Sequence, residues 1–297
     1  MIKRLFFVFL VGFYSHLNAA EVNRIVVSGG SITEIVYALG QQEKLVGVDS
    51  TSTFPAVATQ LAQIGYVRRI GVEGVLALQP DLLLGEADTG PEKSLQQLQD
   101  LGLQTVIFSK EDDFYHIEKK VSKVASLLGV TERATPILKD IEYQRTMLSR
   151  IVDEQGGEQP NVLFVLSART GQPLAAGAGT SADQVIQAAG GKNVTATFKG
   201  WKPLSVEAAA ELNPDVIIMM GHQGKNNTQE LAKLPHFQFS NAVKNQRVHT
   251  FDGGYLLGMG PRTPQAVVEL ASLLHRNGQL PAGYQFSHAK TAQSAGL

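Results

Sequence analysis

Short apolar runs alternate with helix-periodic stretches along most of the chain. Residues 24–28 (RIVVS) are β-branched and brief, as in a buried strand, and Gly29-Gly30 then turns into Ser31-Ile32-Thr33-Glu34, which has the form of a helix capping box. The helix expected there runs to Leu39 and stops at Gly40. A second strand follows at 45–48, then a Ser/Thr/Pro loop from Asp49 to Pro55. A helix from Val72-Glu73 to Leu78 is closed by Pro80, and the apolar run 81–84 (DLLL) reads as the next strand. Strands alternating with helices of this length imply parallel sheets with right-handed crossovers.

An internal repeat organises the whole chain. VEGVLALQPD at 72–81 returns as VEAAAELNPD at 206–215, and each copy leads into an apolar strand that ends in Gly85 or Gly221. SITEIVYALG at 31–40 is echoed by SADQVIQAAG at 181–190. Between the two halves, residues 132–154 are rich in helix formers, with Ile137, Leu138, Ile141, Leu148, Ile151 and Val152 mainly on one face, and Gly156-Gly157 ends the run. The pattern predicts an α/β protein of two Rossmann-like lobes joined by a single long, stiff helix, with a ligand cleft between the lobes. The expected boundaries are 21–130 for the first lobe, 131–156 for the linking helix, 157–278 for the second lobe and 279–297 for a loosely ordered tail.

Composition removes several function classes. Lys3 and Arg4 precede ten apolar or aromatic residues from Leu5 to Tyr14, with Ala19 and Ala20 beyond, so residues 1–20 read as a cleaved signal peptide and the destination as a periplasm. The run is too short for a bilayer span of ~20 residues. The chain has no cysteine, which excludes disulfides, thiolate metal sites and a lipid attached to cysteine. Its net charge of -1 becomes -3 without the leader, giving no basic field for nucleic acid. His116, His222, His236, His249, His275 and His288 show no metal-binding spacing, and no nucleophile elbow or phosphate-binding loop is present, so a catalytic role is not expected.

The chain resembles the periplasmic haem-binding proteins of bacterial ABC haem importers, a cluster of helical-backbone binding proteins that also serves vitamin B12 and ferric siderophores. The resemblance spans residues 22–277 and rests on RIVVSGGSITEIVYALG (24–40), VGVDSTSTFP (46–55), IGYVRR (64–69), EGVLALQPDLLL (73–84), VLFVLS (162–167), AAGAGTSADQVIQAAGG (175–191), PLSVEAAAELNPDVII (203–218) and LLGMGPRTPQ (256–265). DSTSTFP and IGYVRR are the stretches most particular to the haem branch. Haem is the implied cargo; a ferric siderophore or a corrinoid is the alternative.

That resemblance implies that Tyr66 is the axial ligand to haem iron. A phenolate is a hard anionic donor suited to ferric iron. A free phenol titrates near ~10, so the ligand form needs the metal and a nearby cation. Arg68 matches the family arginine beside the tyrosine, and Arg69 is a candidate partner for a propionate through its bidentate fork. Some relatives add a histidine after the strand matching 162–167; here the loop reads Ser167-Ala168-Arg169-Thr170, leaving Arg169 to meet a propionate or the phenolate. Trp201, Phe198, Tyr255, Leu257 and Met259 are candidate walls for the macrocycle, with Lys202 beside Trp201 to neutralise a carboxylate. His222 is the histidine expected to face the cleft, although a solvated loop position is the plainer reading. Glu73 and Glu207 hold the same place in the two repeats and are implied to dock onto an inner-membrane ABC permease dimer, downstream of an outer-membrane haem uptake system; a helix-start glutamate also serves the helix dipole.

Overall fold

The computed structural model describes residues 22–109, 114, 116–157, 159–168, 172–221 and 228–286. The expected signal peptide, Arg169, His222 and the tail beyond Phe286 lie outside the described residues. In the first half the elements are β1 (Ile25–Ser28), α1 (Gly30–Ala38), β2 (Leu45–Val48), β3 (Ala62–Gln63), β4 (Gly65–Tyr66), β5 (Arg69–Ile70), α2 (Val72–Ala77), β6 (Leu82–Gly85), α3 (Glu92–Asp100), β7 (Gln104–Ile107) and α4 (His116–Leu127). Helix α5 (Thr131–Asp153) follows. The second half holds β8 (Asn161–Ser167), β9 (Leu174–Ala176), α6 (Ser181–Ala188), β10 (Lys192–Asn193), β11 (Trp201–Pro203), α7 (Val206–Leu212), β12 (Val216–Gly221), α8 (Thr228–Ala232), α9 (Asn241–Lys244), β13 (Val248–Asp252), α10 (Gly253–Leu257) and α11 (Thr263–His275).

The first lobe is a parallel sheet in the order β3-β2-β1-β6-β7. The second sheet runs β11-β9-β8-β12-β13, with β10 beside β8. It is mixed rather than wholly parallel, because β9 and β11 pair antiparallel. Residues 174–178 (LAAGA) carry none of the β-branched bulk that marks a strand in sequence, so this hairpin was not legible there.

The repeated Pro-Asp unit does the same work in both lobes. Asp81 Oδ2 accepts the backbone N–H of Asn23 and of Arg24, each at 2.9 Å, and Asp215 Oδ2 accepts that of Asn161 at 3.0 Å. Each aspartate thus pins the start of its lobe's central strand. Before each proline, Gln79 (φ 47°) and Asn213 (φ 36°) take left-handed backbone, which ends the helix and turns the chain into the sheet.

Helix α5 packs against α4 of the first lobe and α11 of the second. Its buried face, Ala134, Ile141, Gln144, Leu148 and Ile151, belongs largely to a core that continues from Ile25 and Leu84 in one lobe to Phe164 and Ile218 in the other. Each fully buried Ile or Leu contributes about 1.5–3 kcal/mol, so the apolar joint is a firm one. Among the described residues no helix is long and apolar enough to cross a membrane. Of the tail expected at 279–297, residues 279–286 are described. There Tyr284 donates to Gln144 Oε1 at 2.6 Å, and its ring stacks on Tyr143 with centroids 6.2 Å apart.

Candidate functional site

A cavity of about 450 Å³ opens between the lobes. Its walls come from the carboxyl ends of the strands, where open α/β sheets place ligands. The first lobe contributes Gly29–Ser31 after β1, Thr51, Thr53 and Phe54 after β2, and Glu86 to Asp88 after β6. The second contributes Thr180, Ser181 and Gln184 at the start of α6, Trp201 on β11, and Leu257 to Met259 after α10.

Glu34 does not cap α1, contrary to the capping box expected from sequence. The helix begins two residues earlier, with Gly29 at its N-cap, and its approach is held by the Asp49 loop: Gly29 N–H donates to Asp49 Oδ1 at 2.8 Å and Gly30 N–H to Thr51 Oγ1 at 3.1 Å. Gly29 is required, since at φ 134° an added Cβ would lie 2.2 Å from Cγ of Glu86. Ser31 is turned towards the Glu86 carboxylate instead of the helix backbone. Glu34 reaches the other lobe and accepts two bonds from Arg262, Nε at 3.0 Å and Nη2 at 2.6 Å.

Three carboxylates in or beside the cavity are each matched by a cation. Glu34 meets Arg262; Glu86 accepts from Lys120 Nζ at 2.9 Å; Asp88 accepts from Arg68 Nη2 at 2.5 Å. Burial pushes the Glu34 carboxyl up, against the pull of the Arg262 hydrogen bonds and charge. Asp88 chiefly pushes the Arg68 guanidinium up, by hydrogen bond and by charge. With its charges cancelled in pairs and Phe54, Val67, Trp201, Leu257 and Met259 around them, the cavity suits a largely apolar ligand.

Tyr66 does not itself line the cavity; it lies on the β4–β5 hairpin, which is tied down by Ser50 N–H to Gly65 O (2.8 Å), Gly90 N–H to Val67 O (2.9 Å) and Ile70 N–H to Gly90 O (2.8 Å). The side chain is 49% exposed, and its hydroxyl has no hydrogen-bond partner among the described residues. Val67 and Arg68, next along, line the cavity. Arg69, opposite Tyr66 in the hairpin, is exposed.

On the second lobe, Trp201 lines the cavity and sets its ring edge-on to Phe164 at 6.0 Å. Lys202 lies over the Phe198 ring, 5.4 Å from its centroid, and Phe198 packs into the second-lobe core rather than the cleft. Tyr255, expected as a wall, is also turned away. Its hydroxyl donates to Glu269 Oε1 at 2.8 Å and accepts from Gln265 Nε2 at 2.6 Å, and burial pushes the phenol far above its usual range. Leu257 and Met259 do line the cleft.

Glu73 and Glu207 are exposed in the first turns of α2 and α7. Glu207's own backbone N–H and the Ser205 hydroxyl hold its carboxyl below the usual value. Sequence reasoning missed Glu34, Glu86, Asp88, Lys120 and Arg262. Glu86 and Asp88 had a signal in their position just after a glycine-ended strand; Lys120 and Arg262 reach the site from helices far along the chain. No group of three or more metal-ligating side chains occurs among the described residues.

The sequence profile of the family described as Periplasmic binding protein matches residues 25–254. Among solved structures, the periplasmic haem-binding protein BhuT in complex with two haems is similar, with 35% identity, 85% of this chain and 97% of that chain covered, and a TM-score of 0.79. The apo form of the periplasmic haem-binding protein RhuT from Roseiflexus sp. RS-1 gives 33%, 87%, 100% and 0.79 for the same four measures. The vitamin B12-binding protein of Yersinia pestis (strain Pestoides F) is 29% identical over 221 residues, covering 74% of this chain and 77% of its own.

Proposed function

Because the chain belongs to the periplasmic binding protein family, we propose that it captures haem in the interlobe cleft, with Tyr66 as the iron ligand, and delivers it to an inner-membrane ABC permease. The observation that supports this reading is the exposed phenol of Tyr66, which makes no hydrogen bond among the described residues, on a pinned hairpin whose next residues, Val67 and Arg68, line the charge-balanced cavity. Its oxygen supplies the hard anionic donor that ferric iron favours, and the proton leaves as the bond forms. Arg68, paired with Asp88, borders the cavity on the same hairpin, Trp201 offers a flat wall, and the exposed Arg69 and Lys202 are the proposed partners of the propionates. Arg169, which lies outside the described residues, is proposed to meet a propionate or the phenolate. The likeness to two haem-binding structures at 33–35% identity supports the cargo.

Glu73 and Glu207 head equivalent helices, one per lobe, and suit a two-fold permease that offers one basic patch to each. An outer-membrane haem uptake system would supply the cargo. A leader over residues 1–20, removed on export, completes the reading.

The likeness to a vitamin B12-binding protein favours a corrinoid as second reading. Equilibrium titrations with haemin and with cyanocobalamin separate the two. Haemin should bind far more tightly; preferential binding of cyanocobalamin would replace haem with the corrinoid.

A further inference from the structure

Among the described residues, the short segment Met259 to Arg262 carries polar contacts between the two lobes at the floor of the cleft. Met259 takes a left-handed backbone (φ 53°), unusual for a side-chain-bearing residue, and its carbonyl accepts from Lys120 Nζ of the first lobe at 3.3 Å. Gly260 lies against α1: a Cβ there would sit 3.1 Å from Glu34 Oε2 and 3.3 Å from Ser31 Cβ. Arg262 completes the crossing with its two bonds to Glu34, the side chains of the pair being only 9% and 8% exposed. Its guanidinium also lies 3.3 Å from the centroid of Phe54, a wall of the cavity. Thr263 fixes the segment itself, its N–H donating to Gly260 O at 3.0 Å and its hydroxyl accepting from Gly260 N–H at 3.2 Å.

A buried ion pair is a poor source of net stability, because desolvation consumes most of the attraction; what a bidentate pair supplies is a fixed geometry. The apolar core along α5 already holds the lobes together. The Glu34–Arg262 pair therefore adds direction rather than strength, at the floor of the cleft.

We propose that Glu34, Gly260 and Arg262 are specificity-determining positioning residues: they clamp the lobes at a spacing that fits a flat macrocycle and hold the Phe54 wall against it, and so disfavour ligands with bulk on both faces. The choice of ligands rests on the haem reading above. Widening the floor loosens both walls on a planar ligand and makes room for a thicker one.

The test uses the full exported protein with Gly260→Ala, which wedges the contact, and Arg262→Lys, which keeps the charge but loses the fork and the ring stacking. Haemin and cyanocobalamin affinities are measured, with small-angle scattering on the same samples. Each variant should bind haemin at least about tenfold more weakly, show a smaller haemin-over-cyanocobalamin preference, and have a larger radius of gyration. Folded variants with wild-type affinity ratio and wild-type scattering overturn the clamp. If wild type itself binds no haemin, the cargo reading falls instead, and the scattering and cyanocobalamin arms still decide the clamp.

Discussion

Replacing Arg262 by Met tests the electrostatics of the cleft floor directly, because Met keeps apolar contact with Phe54 while removing the charge and both hydrogen bonds. Glu34 is left with 8% side-chain exposure and no fork to meet it. Its cheapest escape is to take a proton. From a usual value of 4.5, remaining protonated at about pH 7 costs about 3–4 kcal/mol, which bounds the destabilisation and agrees with the ~3–5 kcal/mol typical of breaking a buried pair. Lys120 attracts the carboxylate and reduces the loss, whereas Asp252 repels it. The deficit has a definite pH dependence. Losing Arg262 raises the folded-state value of Glu34 above that of the wild type, so the variant loses stability relative to wild type as pH rises through that interval. At about pH 5 protonation is nearly free, and the deficit should fall to about 1 kcal/mol. Urea unfolding of both proteins from about pH 5 to about pH 8 measures it. A deficit that stays constant across the range would refute the reasoning and assign the loss to packing alone.

Two further outcomes are expected. Reversing the two carboxylates proposed to dock, Glu73→Arg with Glu207→Arg, should abolish uptake in a reconstituted transporter while leaving haem affinity intact, because a contact charge becomes repulsive towards a basic patch; normal uptake by the folded variant would remove the docking role. Burial first, and the charge of Arg247 second, hold His249 below its usual 6.5, so the stability it gives is present above that value and lost as pH falls through the lowered one. His249→Gln should therefore flatten the fall in melting temperature between about pH 7 and about pH 5, and an unchanged slope would contradict the assignment.

What the sequence disclosed was what local pattern encodes. The two Pro-Asp units announced equivalent structures, and Asp81 and Asp215 indeed anchor equivalent strands. The long apolar face of 132–154 announced α5, found at Thr131–Asp153. Glu34 was misread because Ser31 and Glu34 have capping spacing, and only the folded Asp49 loop shows that the first N–H groups are already served. Arg262 had no local signal, since its partner is 228 positions away. Tyr255 read as a wall by its place beside Leu257 and Met259, but α10 gives its residues different faces, and Tyr255 turns to Glu269. Asp88 was hidden for the same reason as Arg262: a loop after a strand gains a partner only when the hairpin carrying Arg68 is laid beside it.

The central claim, haem capture through Tyr66, is tested most directly by titrating purified wild-type protein and Tyr66→Phe with haemin and following the absorption spectrum. The substitution keeps the ring and removes only the oxygen donor. Wild type should saturate near about one equivalent with a high-spin, phenolate-type ferric spectrum, and Tyr66→Phe should lose that spectrum together with most of the affinity. An unchanged spectrum and affinity in Tyr66→Phe would contradict the account.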